Sequence, residues 1–283
     1  MLNSLNAGVS GLEQFQNELD VIGNNIANSN TVGFKSSRTD FADAFNESLR
    51  ASTAGGIPSE QIGSGVTLGA IQTNYGSASL STSTQSTDMA ISGNGFFVAK
   101  DSATGQLFAT RAGNFHEDSN GYLVTSNGMR VQGYSDGGLT TQGDIKIDGT
   151  GRPATADPKA AVVDFSVDSS GKVFVKLSDG STPFLRGQIL LQNFSNPQAL
   201  TKAGNNLYSN LSDAGPLGGA TPQAVVPGTS GTGTIQDKNL EMSNVDLASE
   251  FANMITAQRA FQASARVITT SDEVLQELVS LKR

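Results

Sequence analysis

The chain reads as an α+β protein in which long N- and C-terminal helices form a coiled-coil-like core and bracket a mainly antiparallel β middle domain. Three observations carry that reading. An apolar period of seven opens the chain, a second one closes it, and between them lie short apolar runs broken by turn dipeptides ending in Gly.

At the N-terminus Leu5, Leu12, Leu19 and Ile26 recur every seven residues, with Gly8, Phe15 and Ile22 interleaved. Glu13, Gln14, Gln16, Asn17, Glu18 and Asp20 fill the positions between, as a helix with one apolar seam requires. At the C-terminus Leu247, Met254, Phe261, Ile268 and Leu275 repeat the period, with Phe251 one turn in, and no Pro or Gly interrupts Val245 to Arg283. Ser243 or Asn244 is placed to cap this helix, and Ser243 with Asp246 has the spacing of a capping box. A helical rise of 1.5 Å per residue gives lengths of roughly 35 and 55 Å. Two such helices at opposite chain ends most economically pair with each other. Gly8, Gln258 and Asp272 fall on seam positions and weaken the pair, so neighbouring copies would add to its stability. Leu5, Leu12, Phe15, Leu19, Ile22, Ile26, Leu247, Phe251, Met254, Phe261, Ile268 and Leu275 are therefore the candidate core contacts of a polymer.

From about Gly63 to Ile235 the pattern is that of strands. Gly95 to Ala99, Gly121 to Val124, Val162 to Val167 and Lys172 to Leu177 are the candidates, with turns at Asn94-Gly95, Asn120-Gly121, Asn127-Gly128, Ser170-Gly171 and Asp179-Gly180. Asn46 to Ser64 is a low-complexity bridge, and Gly215 to Gly233 an irregular connection. The expected division is a helical terminal domain of residues 1–35 and 239–283, an extended connecting segment 36–72, and a β-rich outer domain 73–238.

Composition narrows the chemistry. Only 16% of residues are charged, against about 25% in a typical globular protein. The net charge of −8 lacks the basic footprint of a nucleic-acid binder. No window approaches 18 uninterrupted apolar residues, and the N-terminus lacks a basic, then apolar, secretory leader. The absence of Cys removes disulfides, thiolate nucleophiles and Cys-ligated zinc. Gly63-Ser64-Gly65-Val66-Thr67-Leu68-Gly69 misplaces the third glycine of a dinucleotide loop and reads as a turn. His116 is the only His, has no nucleophile motif beside it, and reads as an exposed loop residue. No calcium loop is present, and the triplets at Asn46, Asn193 and Asn210 are expected by chance in so Asn- and Ser-rich a chain. These eliminations leave architecture: no catalytic residue, no cofactor, no metal, no nucleic acid and no membrane insertion.

The informative segment runs from Leu19 to Lys35, where the seam helix meets repeated Asn and then Thr31-Val32-Gly33-Phe34-Lys35. This is a helix stop with residues tolerant of left-handed backbone, from which the chain leaves at a fixed angle. The segment resembles the signature of bacterial flagellar rod and hook proteins, in which Asn28, Thr31, Gly33, Phe34 and Lys35 form the signature turn. The resemblance continues in Asp88 to Phe97, Thr110 to Phe115, Leu240 to Leu247 and Met254 to Arg259, in the family's order and over most of the chain. It implies a structural subunit of the flagellar hook in its short form, polymerising into a flexible tube that transmits motor torque to the filament. The distal rod is the alternative, because the 46–64 bridge is longer than in the shortest family versions. The implied partners are further copies of the chain, the rod, the hook cap, the hook–filament junction and the flagellar type III export apparatus. The implied place is outside the cell in the hook or basal body, reached without a cleaved signal peptide.

Overall fold

The computed structural model describes residues 2–50, 60–153, 157, 160–217 and 224–281. Its architecture is α+β: helix α1 (Leu2–Ala27), a long antiparallel β middle, and helix α2 (Leu247–Leu281). The two helices span about 39 and 52 Å at 1.5 Å per residue. The chain forms two compact units, one of Met1–Ser29, Ser36–Asn74 and Val245–Arg283, the other of Asn30–Lys35 and Tyr75–Asn244. This differs from the division read from sequence, because Asn30–Lys35 and residues 239–244 group with the strands, while residues 36–74 group with the helices.

In the first unit α1 and α2 run antiparallel, with Gly8 facing Ser264 and Ile268 at one end and Asn25 bonded to Glu250 at the other. The covered line on α2 is Glu250, Met254, Ala257, Phe261, Ser264, Ile268, Ser271 and Leu275, a strict alternation of four and three residues. On α1 the buried positions are Gly8, Gly11, Ile22 and Asn25. The period of seven through Met254, Phe261, Ile268 and Leu275 lies on the contact, and the interleaved line on α2 is shifted by one position. Gln258 and Asp272 are exposed, and the small side chains of Ala257 and Ser271 take the places assigned to them. Gly8 permits the close approach, since a Cβ there would lie 3.1 Å from Ile268 Cγ1. Helix α2 starts at Asp246 rather than at Ser243 or Asn244. The Asp246 carboxylate accepts from Ala248 N at 3.0 Å and from Ser249 Oγ at 2.9 Å, satisfying a donor that the first turn leaves open.

The described residues of 36–74 form paired strands rather than a single extended run. Ser37–Asp43 lies antiparallel to Val66–Thr73, and farther out Asn46–Arg50 pairs with Glu60–Gly63. Val66–Gly69, read from sequence as part of a turn, is strand; Ser64 and Gly65 lie outside the strands but bond across to Phe45 and Ala44, and the register shifts between Asp40 and Phe41, opposite Gly69. The hairpin packs on α1 through an edge-on contact between Phe15 and Phe41 at 5.9 Å and through Val66 N donating to Ser10 Oγ at 3.3 Å. Residues 51–59, the middle of the Asn46 to Ser64 bridge, lie outside the described residues, as do 218–223 of the Gly215 to Gly233 connection.

In the second unit one antiparallel sheet follows the path Val162–Val167, Lys172–Leu177, Phe184–Ile189, Arg130–Tyr134, Phe96–Lys100, Leu107–Thr110, Leu207–Ser209 and Thr201–Gly204, with shorter strands joined at its sides. Alternation along Lys172–Leu177 buries Val173, Val175 and Leu177, the period-two signature of a strand with one face in the core. The main core gathers Met89, Ile91, Phe97, Phe115, Ile189 and Ile235 among others. A second cluster is aromatic, with Phe96, Phe194 and Tyr208 within 5.7 Å of one another where they touch. Among the described residues no helix is long and apolar enough to cross a membrane.

Candidate functional site

The signature turn begins where α1 stops. Asn28 closes the helix by donating Nδ2 to Asn24 O at 2.9 Å, and the carbonyl of Thr31 accepts from Phe34 N at 3.2 Å. Gly33 sits at φ +69°, and a Cβ there would lie 2.6 Å from Ala112 N, so both conformation and space demand Gly. Its N–H donates to the backbone oxygen of Glu241 at 2.8 Å. Phe34 is buried, with Lys202 Nζ 5.1 Å from its ring.

Lys35 follows and is wholly buried. Its Nζ donates to Glu241 Oε1 and to Gly76 O, each at 2.7 Å. The other carboxylate oxygen of Glu241 accepts from Arg111 Nη1 at 3.0 Å, and Arg111 Nη2 donates to Gly93 O at 2.8 Å. Ala78 N adds a donor to Glu241 Oε1 at 3.2 Å. Lys35, Arg111 and Glu241 are 0, 2 and 1% exposed, so three charges lie out of water with two cations to one carboxylate. Burial holds the Lys35 ammonium below the ordinary lysine range; Glu241 opposes this and Arg111 adds to it. Burial likewise pulls Arg111 down against the attraction of Glu241, and pushes the phenol of neighbouring Tyr208 up.

Four of the segments that carry the family resemblance thus meet in one place. Thr31 to Lys35 supplies the turn and the lysine, Thr110 to Phe115 the arginine, and Leu240 to Asn244 the carboxylate. Asp88 to Phe97 supplies the Gly93 carbonyl and a buried strand, whose Met89 N donates to Gly113 O at 3.0 Å. Arg111 and Glu241 are the residues that sequence reasoning quoted without giving them a part. The available signal was charge placed inside motifs of a chain with few charges.

The candidate polymer contacts fall into two groups. Met254, Phe261, Ile268 and Leu275 lie on the covered line of α2, and Leu5, Leu12, Phe15, Leu19 and Ile26 are half-buried, with Ile22 fully so. Leu247 and Phe251 stay 42 and 50% exposed, joined by Ile255, Val267, Val274 and Leu278. Two carboxylates also lie on the seam. Burial raises both Glu18 and Glu250, the latter helped by Asp246 and opposed by the amide of Asn25, which donates to Glu250 Oε1 at 3.0 Å and to Ser37 O at 2.7 Å.

His116 is exposed on a two-residue strand opposite Val124. Among the described residues no cluster of three His, Cys, Asp or Glu side chains could hold a metal ion. The arrangement at Glu241 fixes backbone; its polar atoms are spent on carbonyls, amides and one another, save Arg111 Nε, which is buried without a partner.

The terminal helices thus pair within one unit, and the motif residues meet in a dry ion cluster within the other. Three family models match in order. They are the flagella basal body rod protein over residues 5–35, the flagellar hook protein FlgE/F/G D1 domain over 90–175, and the flagellar basal body rod FlgEFG protein C-terminal over 236–281. The flagellar basal-body rod protein FlgG of Bacillus subtilis is 43% identical, the match covering all of both chains. That of Caulobacter vibrioides is 34% identical over 99% of this chain and 100% of its own. The flagellar hook protein FlgE of Borreliella burgdorferi is 26% identical over an alignment of 449 positions that spans both chains. The chain belongs to the flagellar rod and hook protein family, whose members are structural components of the flagellum and not enzymes.

Proposed function

We propose that the chain is the distal rod subunit of the flagellar basal body, polymerising with further copies of itself into a tube that carries motor torque outward. The observation that carries this reading is length. The similarity to proteins named FlgG runs end to end over 288 and 290 aligned positions with both chains almost wholly used, whereas the hook relative needs 449 positions to span the same chain. The paired strands that bound the 46–64 bridge favour the same choice. Phe41, Phe45, Ile62, Leu68 and Ile71 are exposed on that hairpin, more apolar surface than a lone monomer gains by showing.

The helical unit supplies the polymer core in this reading. Phe251 and Ile255 fall on one side of the α2 seam and Val267 and Val274 on the other, while Leu247 and Leu278 continue the seam beyond its covered stretch and stay exposed. A helix apolar on both flanks of its intramolecular seam suits a bundle in which each copy is covered by neighbours, in coiled-coil-like packing. Rod and hook neighbours at the two ends of the tube, and export by the flagellar type III apparatus, belong to the same proposal. The hook remains the second reading, favoured by the similarity to the hook protein FlgE of Borreliella burgdorferi.

Complementation separates the two. Expressed in a motile bacterium lacking its own distal rod gene, the chain should restore rods that reach full length and carry hooks. Restoration of a strain lacking the hook gene, and not of the rod strain, would overturn the assignment.

A further inference from the structure

The chain passes between its two units four times, after Ser29, Lys35, Asn74 and Asn244. Each passage has a neighbouring segment inside the β unit that is fastened, directly or through Lys35, to Glu241. Residues 30–35, bounded by the first two passages, are held by Gly33 N on Glu241 O and by Lys35 Nζ on the carboxylate. The segment after the third is held by Ala78 N on Glu241 Oε1 and by Gly76 O, which accepts from Lys35. The segment before the fourth contains Glu241 itself, and its Met242 N donates to Ser79 O at 3.0 Å. Arg111 pins the same carboxylate to the body of the sheet through Gly93 O.

We propose that the Lys35–Glu241–Arg111 cluster is a clasp that joins the three segments bordering these four passages into one cooperative element, so that they unfasten together and share any load. Glu241 is its positioning residue. The physical ground is the cost of partial opening. Releasing any one segment would leave a buried charge or carbonyl without its partner in a dry environment, where such loss costs most. The bearing of loads rests on the subunit reading above; the cooperativity does not.

Native-state hydrogen exchange on the full-length purified chain tests the clasp without any polymer. As denaturant is raised, the amides of Gly33, Ala78 and Met242 should converge on one opening with a common denaturant slope. Three unrelated slopes would overturn the proposal. Lys35→Met supplies the second arm, and it keeps a one-to-one Arg111–Glu241 pair in the cluster. It should lower the protection of all three amides together, by about tenfold or more, while Val173 and Val175 keep theirs. Gly33 decides the matter, because its acceptor is a backbone oxygen that the substitution leaves in place. Unchanged Gly33 protection beside a loss at Ala78 would mean separate local contacts. Should Lys35→Met fail to fold, the slopes of the unsubstituted chain still decide.

Discussion

Gly8 of α1 lies so close to Ile268 of α2 that a β-carbon on the glycine would stand 3.1 Å from Ile268 Cγ1, and 3.6 Å from the backbone oxygen of Ser264. The helix pair is therefore spaced by hydrogen atoms at this level, and the apolar period of the sequence gains its contact only because one seam position carries no side chain. Gly8→Leu should lower the thermal transition of the helical unit by a loss of about 1–3 kcal/mol. Gly8→Ala should be nearly neutral, since the tight contact opposes a gain in helix propensity of about 1 kcal/mol. Circular dichroism at 222 nm across a melt reads both; a stabilised Gly8→Leu would disprove the close packing.

The seam should tighten on mild acidification. Burial raises Glu18 and Glu250 above the ordinary carboxylate range, so the folded pair binds protons more readily than the unfolded chain. Their contribution is fully present below the unfolded value and is lost as pH rises through the folded values. Glu18→Gln and Glu250→Gln should each raise the denaturant midpoint of the helices at pH 7 and change it little at pH 4. Equal effects at both pH values would exclude proton linkage at these sites.

The cap at Asp246 titrates in the opposite sense. Its carboxylate, held low by Ser249 Oγ and the Ala248 amide, gives stability present above the unfolded value and lost as pH falls through the folded one. Asp246→Ala should lower helix stability at pH 7 and have little effect at a pH below the folded value. Amide exchange over the first turn of α2 reads the loss, and equal protection in variant and parent at pH 7 would contradict the cap.

In the ion cluster the three charges are unequal in consequence. Glu241→Ala strands two buried cations and should cost the β unit about 3–5 kcal/mol, while Lys35→Met leaves a balanced pair and should cost far less. Because Lys35 is held below its ordinary range, the unfolded chain binds its proton more tightly, and stability rises with pH between the folded value and the unfolded one. Lys35→Met should abolish that share of the rise. A variant with the same pH slope as the parent would show that Lys35 is not linked to folding.

The sequence made the helices legible because Leu, Phe and Ile advertise a seam, and made the hairpins legible because Gly after Asn, Ser or Asp marks turns. It hid the phase of the interleaved line on α2. Ala257 and Ser271 line the contact where a search for large apolar side chains would not look, and the apolar Phe251 lies half exposed instead. The pairing of residues 37–50 with 60–73 was hidden by their polar, small-residue composition, which resembles a linker until the two arms are paired. The ion cluster was hidden by distance along the chain: Lys35 and Glu241 are 206 residues apart, Arg111 and Glu241 130. Such partners obey no local period, so only the folded backbone reveals that the motifs are parts of one site.

The most direct test of the account is a seam substitution that separates assembly from folding. Phe261 lies on the covered line of α2 and Leu19 is half-buried on α1, so Phe261→Asp and Leu19→Asp each place a carboxylate where apolar packing is needed, at a cost of about 2 kcal/mol or more per subunit. In the distal rod complementation strain, both variants should be made with a β unit whose thermal transition matches the parent, yet build no rod and leave the cell non-motile. Rods of normal length from either variant would contradict the claim that the helical unit is the assembly core.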